Sequence, residues 1–139
     1  MDDNSLGKAK EALMVGILVD VYEDTIRKAY LEDELEEFYK LLQCDCIDIV
    51  VREVDGVSYD IVCDDEGLLK SGFIVSAVDE EGEPQLVGNL LFLHHDEEGN
   101  LTGIQDPSEI DGIRRRIAIY AELEKPETAH RVVVLDSWR

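Results

Sequence analysis

Apolar residues along this chain fall in short blocks, and the spacing within the blocks switches between two periods. Met14 to Tyr22 (MVGILVDVY) is almost continuously apolar, the pattern of a strand buried on both faces. Glu23-Asp24-Thr25 interrupts it as a turn, and Ile26 to Leu31 returns as a second strand. The period then changes. Leu31, Leu35, Phe38 and Leu42, with Tyr39 beside them, step by 4, 3 and 4 residues, which is one stripe of a helix over about 32–43. Glu32, Asp33 and Glu34 crowd its first turn, where the helix dipole favours negative charge, and Lys40 stands near its end. The stripe assigns Leu35, Phe38 and Leu42 to the core and leaves Glu36 and Glu37 in water.

Ile47 to Val54 and Val57 to Cys63 are β-branched runs joined by Asp55-Gly56, a two-residue link whose members both accept φ > 0 and so predict a tight hairpin. Asp64 to Gly67 closes the second run, and short extended segments fill Leu68 to Val78. Two similar turns, Asp79-Glu80-Glu81-Gly82 and Asp96 to Asn100, bracket Gln85 to His94 (QLVGNLLFLH). That block reads as one central strand with Gly88 as a bulge. Asp106 as a cap and Pro107 in the first helical position predict a second helix over about 107–115. Ile117 to Leu123 and Ala129 to Leu135 flank Glu124-Lys125-Pro126-Glu127 as a closing hairpin. The order is strand-rich, without repeat, linker or low-complexity tract. It predicts a flexible N-terminal arm over 1–13, then a single α+β domain over 14–139: a largely antiparallel sheet of hairpins with the two short helices packed on it.

Charge changes the picture more than composition does. The chain carries 33 acidic and 13 basic side chains, a net charge of −20, with 45% apolar residues to fill a core. Residues 1–112 hold 29 acidic and 7 basic side chains, whereas 113–139 hold 4 and 6. A field of that sign repels nucleic acid and anionic membrane and attracts basic surfaces, so neither direct nucleic-acid binding nor membrane binding is expected. The apolar run from Ala12 to Val19 has eight residues, far below the ~20 that span a bilayer. Three cysteines cannot all pair within one chain, which fits a reducing, cytoplasmic setting.

Signatures of chemistry are sparse. Cys44-Asp45-Cys46 is closer than the usual zinc spacing and lacks a second matched pair, so the cysteines read as free thiols and no metal or cofactor is expected. His94 and His95 are adjacent on a predicted strand, point to opposite faces and cannot share an ion. The Asp-Glu-Glu-Gly turns lack the alternating ligands of a calcium loop. Phosphate-binding, dinucleotide and nucleophile-elbow fingerprints are all absent, so no residue is assigned a catalytic role. Arg114-Arg115-Arg116 fits a helix end or ion pairs to the acidic body.

Three blocks resemble the family of small proteins called domain of unknown function 3846: IDIVVREVDGVSYDIVCDDEGLLK (47–70), VSAVDEEGEPQLVGNLLFLHHDEEGNLTGI (75–104) and DPSEIDGI (106–113). The resemblance covers roughly residues 14–113. It implies a setting in Firmicutes, phages and conjugative elements, and it brings no activity or catalytic residue.

Two functional expectations follow. The first is a non-enzymatic binding or inhibitory protein of a mobile element, which imitates nucleic-acid charge and engages a basic, nucleic-acid-handling partner through Glu32, Asp33, Glu36 and Glu37. The second is a small protein- or ligand-binding domain whose acidity serves only solubility. Neither sets the oligomeric state.

Overall fold

The computed structural model describes residues 13–137. Leu13–Asp20 (β1) and Thr25–Glu32 (β2) pair antiparallel over their full lengths. The helix Leu35–Leu42 (α1) leads into Ile47–Val54 (β3) and Val57–Asp64 (β4), paired residue for residue. Their link is the tight turn expected: Asp55 and Gly56 have φ of 53° and 80°. A 3₁₀ turn at Gly67–Leu69 precedes Val75–Val78 (β5), Pro84–Val87 (β6), Leu90–His95 (β7) and Leu101–Thr102 (β8). Glu109–Arg114 (α2), Ile117–Glu122 (β9) and Lys125–Val134 (β10) complete the described chain.

The strands form two sheets, not one. The first runs β2-β1-β7-β4-β3 with β8 beside β7, and the second runs β6-β5-β10-β9. Every pairing is antiparallel except β5 with β10. Side-chain alternation explains the layering. On β1, β4 and β7 one set of residues (Ile17, Val19, Ile61, Phe92) joins the main core with Ala77, Ile110, Ile113 and Val133 from the second sheet and α2. The alternate set (Leu18, Val62, Leu91, Leu93) joins Phe38 and Leu42 of α1 on the opposite face. The first sheet is thus covered on both sides, which is why β1 reads as an almost continuous apolar run.

The Gln85–His94 block is two strands in different sheets. Gly88 has φ 74°, and Asn89 beside it is buried; its side-chain oxygen accepts the Val21 N–H at 3.0 Å and its amide donates to Leu41 O at 3.1 Å. Asn89 therefore pins the crossing point between the sheets to β1 and α1, where a bulge in one strand was expected. The first helix begins at Leu35, so Glu32 lies on β2 and Asp33 in the bend between them. Leu31 still packs with Phe38 and Leu42, but from β2, and Leu35 is 57% exposed. Leu35 opens the helix at its far end from the sheet contacts made by Leu42, and the core assigned to it is absent. The second helix spans 109–114, with Ser108 as its N-cap residue. Asp106 forms a side-chain turn instead, accepting the Ser108 N–H and hydroxyl at 3.0 and 2.7 Å. The final hairpin is as expected, although β10 starts at Lys125 and carries an irregularity before His130. The arm assigned to 1–13 lies outside the described residues apart from Leu13, which opens β1.

Candidate functional site

The end of β2 and the start of α1 bring carboxylates together. Glu34 is the N-cap residue of α1 in extended conformation, with no side-chain cap. Its neighbours Glu36 and Glu37 occupy the first turn, and Glu32 ends β2. Glu34 shows the consequence: the Glu32 charge beside it holds its carboxyl above the ordinary value, helped by partial desolvation, a hydrogen bond to the Glu32 carboxyl, and the charges of Glu37 and Glu36. Asp33 is exposed in the same bend. Among the described residues, none of these five acids is joined to a basic side chain. The expected residues Glu32, Asp33, Glu36 and Glu37 thus lie in one stretch, with Glu32 and Asp33 outside the helix. Glu34 is the member the sequence reading left out of the set, although the unbroken run 32–34 signalled it.

Many other carboxylates have local structural work. Asp20 accepts the N–H groups of Tyr22 and Glu23. Asp79 accepts those of Glu81 and Glu83, and Asp96 those of Glu98 and Asn100. At Asp96 the Asn100 N–H foremost holds the carboxyl below its ordinary value. Asp136 accepts the N–H groups of Asp55 and Gly56 at 3.1 and 2.8 Å, tying the chain's last described segment to the β3–β4 turn. Among the described residues the carboxylates at 32–37 accept no comparable backbone N–H bonds.

The histidines act as fasteners. His94 Nε2 lies 2.8 Å from Glu109 Oε1 and its ring stacks on Tyr59, joining α2 to the first sheet. Tyr59 is fully buried, and burial, followed by the Glu109 charge, pushes its phenol far above the ordinary value. His95 Nδ1 lies 2.6 Å from Asp60 Oδ2, tying β7 to β4 on the opposite face. The polar cleft of about 760 Å³ beside Glu53, Asp55, Glu80, Arg116 and Asp136 is lined by neither histidine. Among the described residues no three His, Cys, Asp or Glu side chains converge in a metal-binding group.

The arginine run makes the expected local contacts. Arg115 donates to Asp55 Oδ2 at 2.9 Å, and Arg116 lies 3.5 Å from Asp136 and 3.7 Å from Glu80. The cysteines are unpaired: Cys44 and Cys63 are buried and Cys46 is exposed. Burial pushes the Cys63 thiol up to about 11, and the Glu66 charge foremost raises Cys46. Thiolate is the reactive form. A thiol-reactive dye at mildly alkaline pH should therefore label Cys46 first and Cys44 and Cys63 only on unfolding. Mass mapping of the labelled peptides checks the order, and labelling of Cys63 in the native protein would contradict it.

Fold and site define a mostly β protein of two stacked sheets, flanked by a short helix whose acidic end meets no basic side chain among the described residues. The chain belongs to the family described as a domain of unknown function (DUF3846), whose model matches residues 14–117. No curated protein and no solved structure matches it. No helix among the described residues is long and apolar enough to cross a membrane.

Proposed function

We propose that this is a non-enzymatic binding or inhibitory protein of a mobile element, whose acidic surface engages a basic, nucleic-acid-handling partner in the cytoplasm by imitating nucleic-acid charge. The observation that carries the reading is the run Glu32, Asp33, Glu34, Glu36 and Glu37, in which the charges of Glu32, Glu37 and Glu36 act on Glu34 and no member has a basic partner among the described residues. Repulsion of that kind is relieved when lysine or arginine side chains dock, so the cost carried by the free protein favours the complex. A second reading, acidity for solubility alone, draws on the exposed Glu81, Glu97 and Glu98, which stand in turns remote in sequence from this run.

The test joins Glu32→Gln, Asp33→Asn, Glu36→Gln and Glu37→Gln in one variant and measures its affinity for a partner captured from host lysate. Affinity should fall by about 10-fold or more, because close charge pairs at an interface carry on the order of 1.5 kcal/mol each. Thermal stability should hold or rise as repulsion is relieved. Unchanged affinity in the folded variant would favour the solubility reading.

A further inference from the structure

Edge strands expose a row of backbone N–H and C=O groups, and several edges here are blunted by the protein itself. On β3 the Ile49 N–H donates to Asp48 Oδ1, the Arg52 guanidinium to Val51 O, and the Asp136 N–H to Glu53 O, each at 2.8 Å. On β2 Arg114 donates to Ile26 O, and the short β6 opens with Pro84, which has no N–H. Among the described residues β9 has no such cover. The Val134 N–H donates to Arg116 O just ahead of it, and in the same register Ala118 and Tyr120 face β10 with their backbone groups. The alternation turns the N–H and C=O of Ile117, Ile119 and Ala121 outward. Among the described residues those six groups have no hydrogen-bond partner.

The side chains of this edge are as unusual as its backbone. From Ile117 to Ala121 the strand carries no charge in a protein of net charge −20. Ile119 is 68% exposed, and Leu123 just past the strand is 92% exposed. Arg114, Arg115 and Arg116 precede the strand; Glu122 ends it, paired with Lys125 at 3.4 Å, and Glu124 stands in the turn that follows. A strand with a basic start and an acidic end is complementary to an antiparallel copy of itself.

We propose that the protein forms a symmetric dimer by antiparallel pairing of β9 with β9 of a second copy, Ile119 facing Ile119 across the two-fold axis. In that register Ile117 lies opposite Ala121 of the second copy, and all six outward backbone groups of each strand find partners. The exposed Ile119 side chains cover each other, and the two four-stranded sheets become one sheet of eight. Arg114 ends α2 just ahead of β9, donates to a backbone carbonyl and has no carboxylate partner among the described residues; antiparallel pairing brings that end of the strand toward the end of the second copy that carries Glu124 in its turn. The pairing gives the basic run and the terminal hairpin a shared task, and the sheet edge selects a second copy of this chain over an unrelated strand through charge order.

Sedimentation velocity of the full chain at about 100 µM tests this, since mass action favours the dimer at high concentration. The wild type should sediment as a dimer. Ile119→Pro removes an N–H that points away from β10, and Ile119→Lys places two ammonium groups face to face. Each should weaken the dimer by about 10-fold or more, on the scale of a lost interface anchor. Circular dichroism should show both folded; if the proline variant unfolds, the lysine variant at this exposed position carries the test. Arg114→Glu should weaken the dimer, and Arg114→Glu combined with Glu124→Arg should restore it. A wild type that stays monomeric, a dimer that survives both Ile119 changes, or a reversed pair that restores nothing would overturn the proposal.

Discussion

Phe92→Ala is expected to destabilise the fold by about 3–5 kcal/mol, the cost of emptying a well-packed aromatic site. Phe92 is fully buried at the middle of β7, the strand that lies between β1 and β4 in the first sheet. Its ring meets Tyr59 edge-on at 5.3 Å, and its backbone pairs with both Ile17 and Ile61. The main core between the two sheets is built around it, with Val19, Ala77, Leu90 and Val133 in the same cluster. Little can collapse into the space, because the neighbours belong to strands held on both sides. Domains of this size hold a net stability of roughly 5–15 kcal/mol, so the loss is a large share of the total. Chemical denaturation should report it as a lower midpoint with an unchanged slope. A loss below about 1 kcal/mol would mean that the two sheets do not enclose this core.

Gly103→Ala should produce the second large effect, about 1–3 kcal/mol or more, through overpacking. A Cβ there would stand 2.7 Å from Val15 N and 3.0 Å from Val15 O, so backbone would have to move. The adjacent Ile104 N–H donates to Val15 O at 2.7 Å, and the displacement would strain that bond as well. Gly16 offers the contrast. Its Cβ would meet side-chain atoms and no backbone, Leu91 Cδ1 at 2.6 Å and Leu93 Cδ2 at 3.0 Å. Gly103→Ala should therefore lower the thermal midpoint further than Gly16→Ala, and the reverse order would contradict the close approach of residue 103 to β1.

Local pattern was enough wherever neighbours in sequence decide the structure. Asp55-Gly56 and the runs either side form the hairpin because backbone freedom at two adjacent residues selects it. The α1 stripe identified Phe38 and Leu42 correctly. Where the deciding partner lies far along the chain, the pattern misled. Nothing near Asn89 reveals that its side chain bonds Val21 and Leu41, so the crossing between sheets looked like a bulge. The division into two sheets depends on β5 lying parallel to β10, a pairing between segments more than 50 residues apart. Leu31 satisfied the helical period while belonging to β2, and that coincidence drew the helix start back from Leu35 over Glu32, Asp33 and Glu34. The acidic site itself was legible as a run of carboxylates. Its defining property, the repulsion centred on Glu34, required the bend that folds Glu32 against it.

The most direct test of the proposed function is the salt dependence of partner binding with DNA as competitor. Exposed charges are screened beyond about 8–10 Å at physiological ionic strength, so charge imitation has a clear signature. Calorimetric titration of the captured partner at about 50 and about 300 mM salt should show affinity falling steeply as salt rises. Duplex DNA should displace this protein from the partner, and the variant with Glu32, Asp33, Glu36 and Glu37 neutralised should show a shallower salt dependence. Tight binding that ignores salt, DNA and those four substitutions would contradict the account.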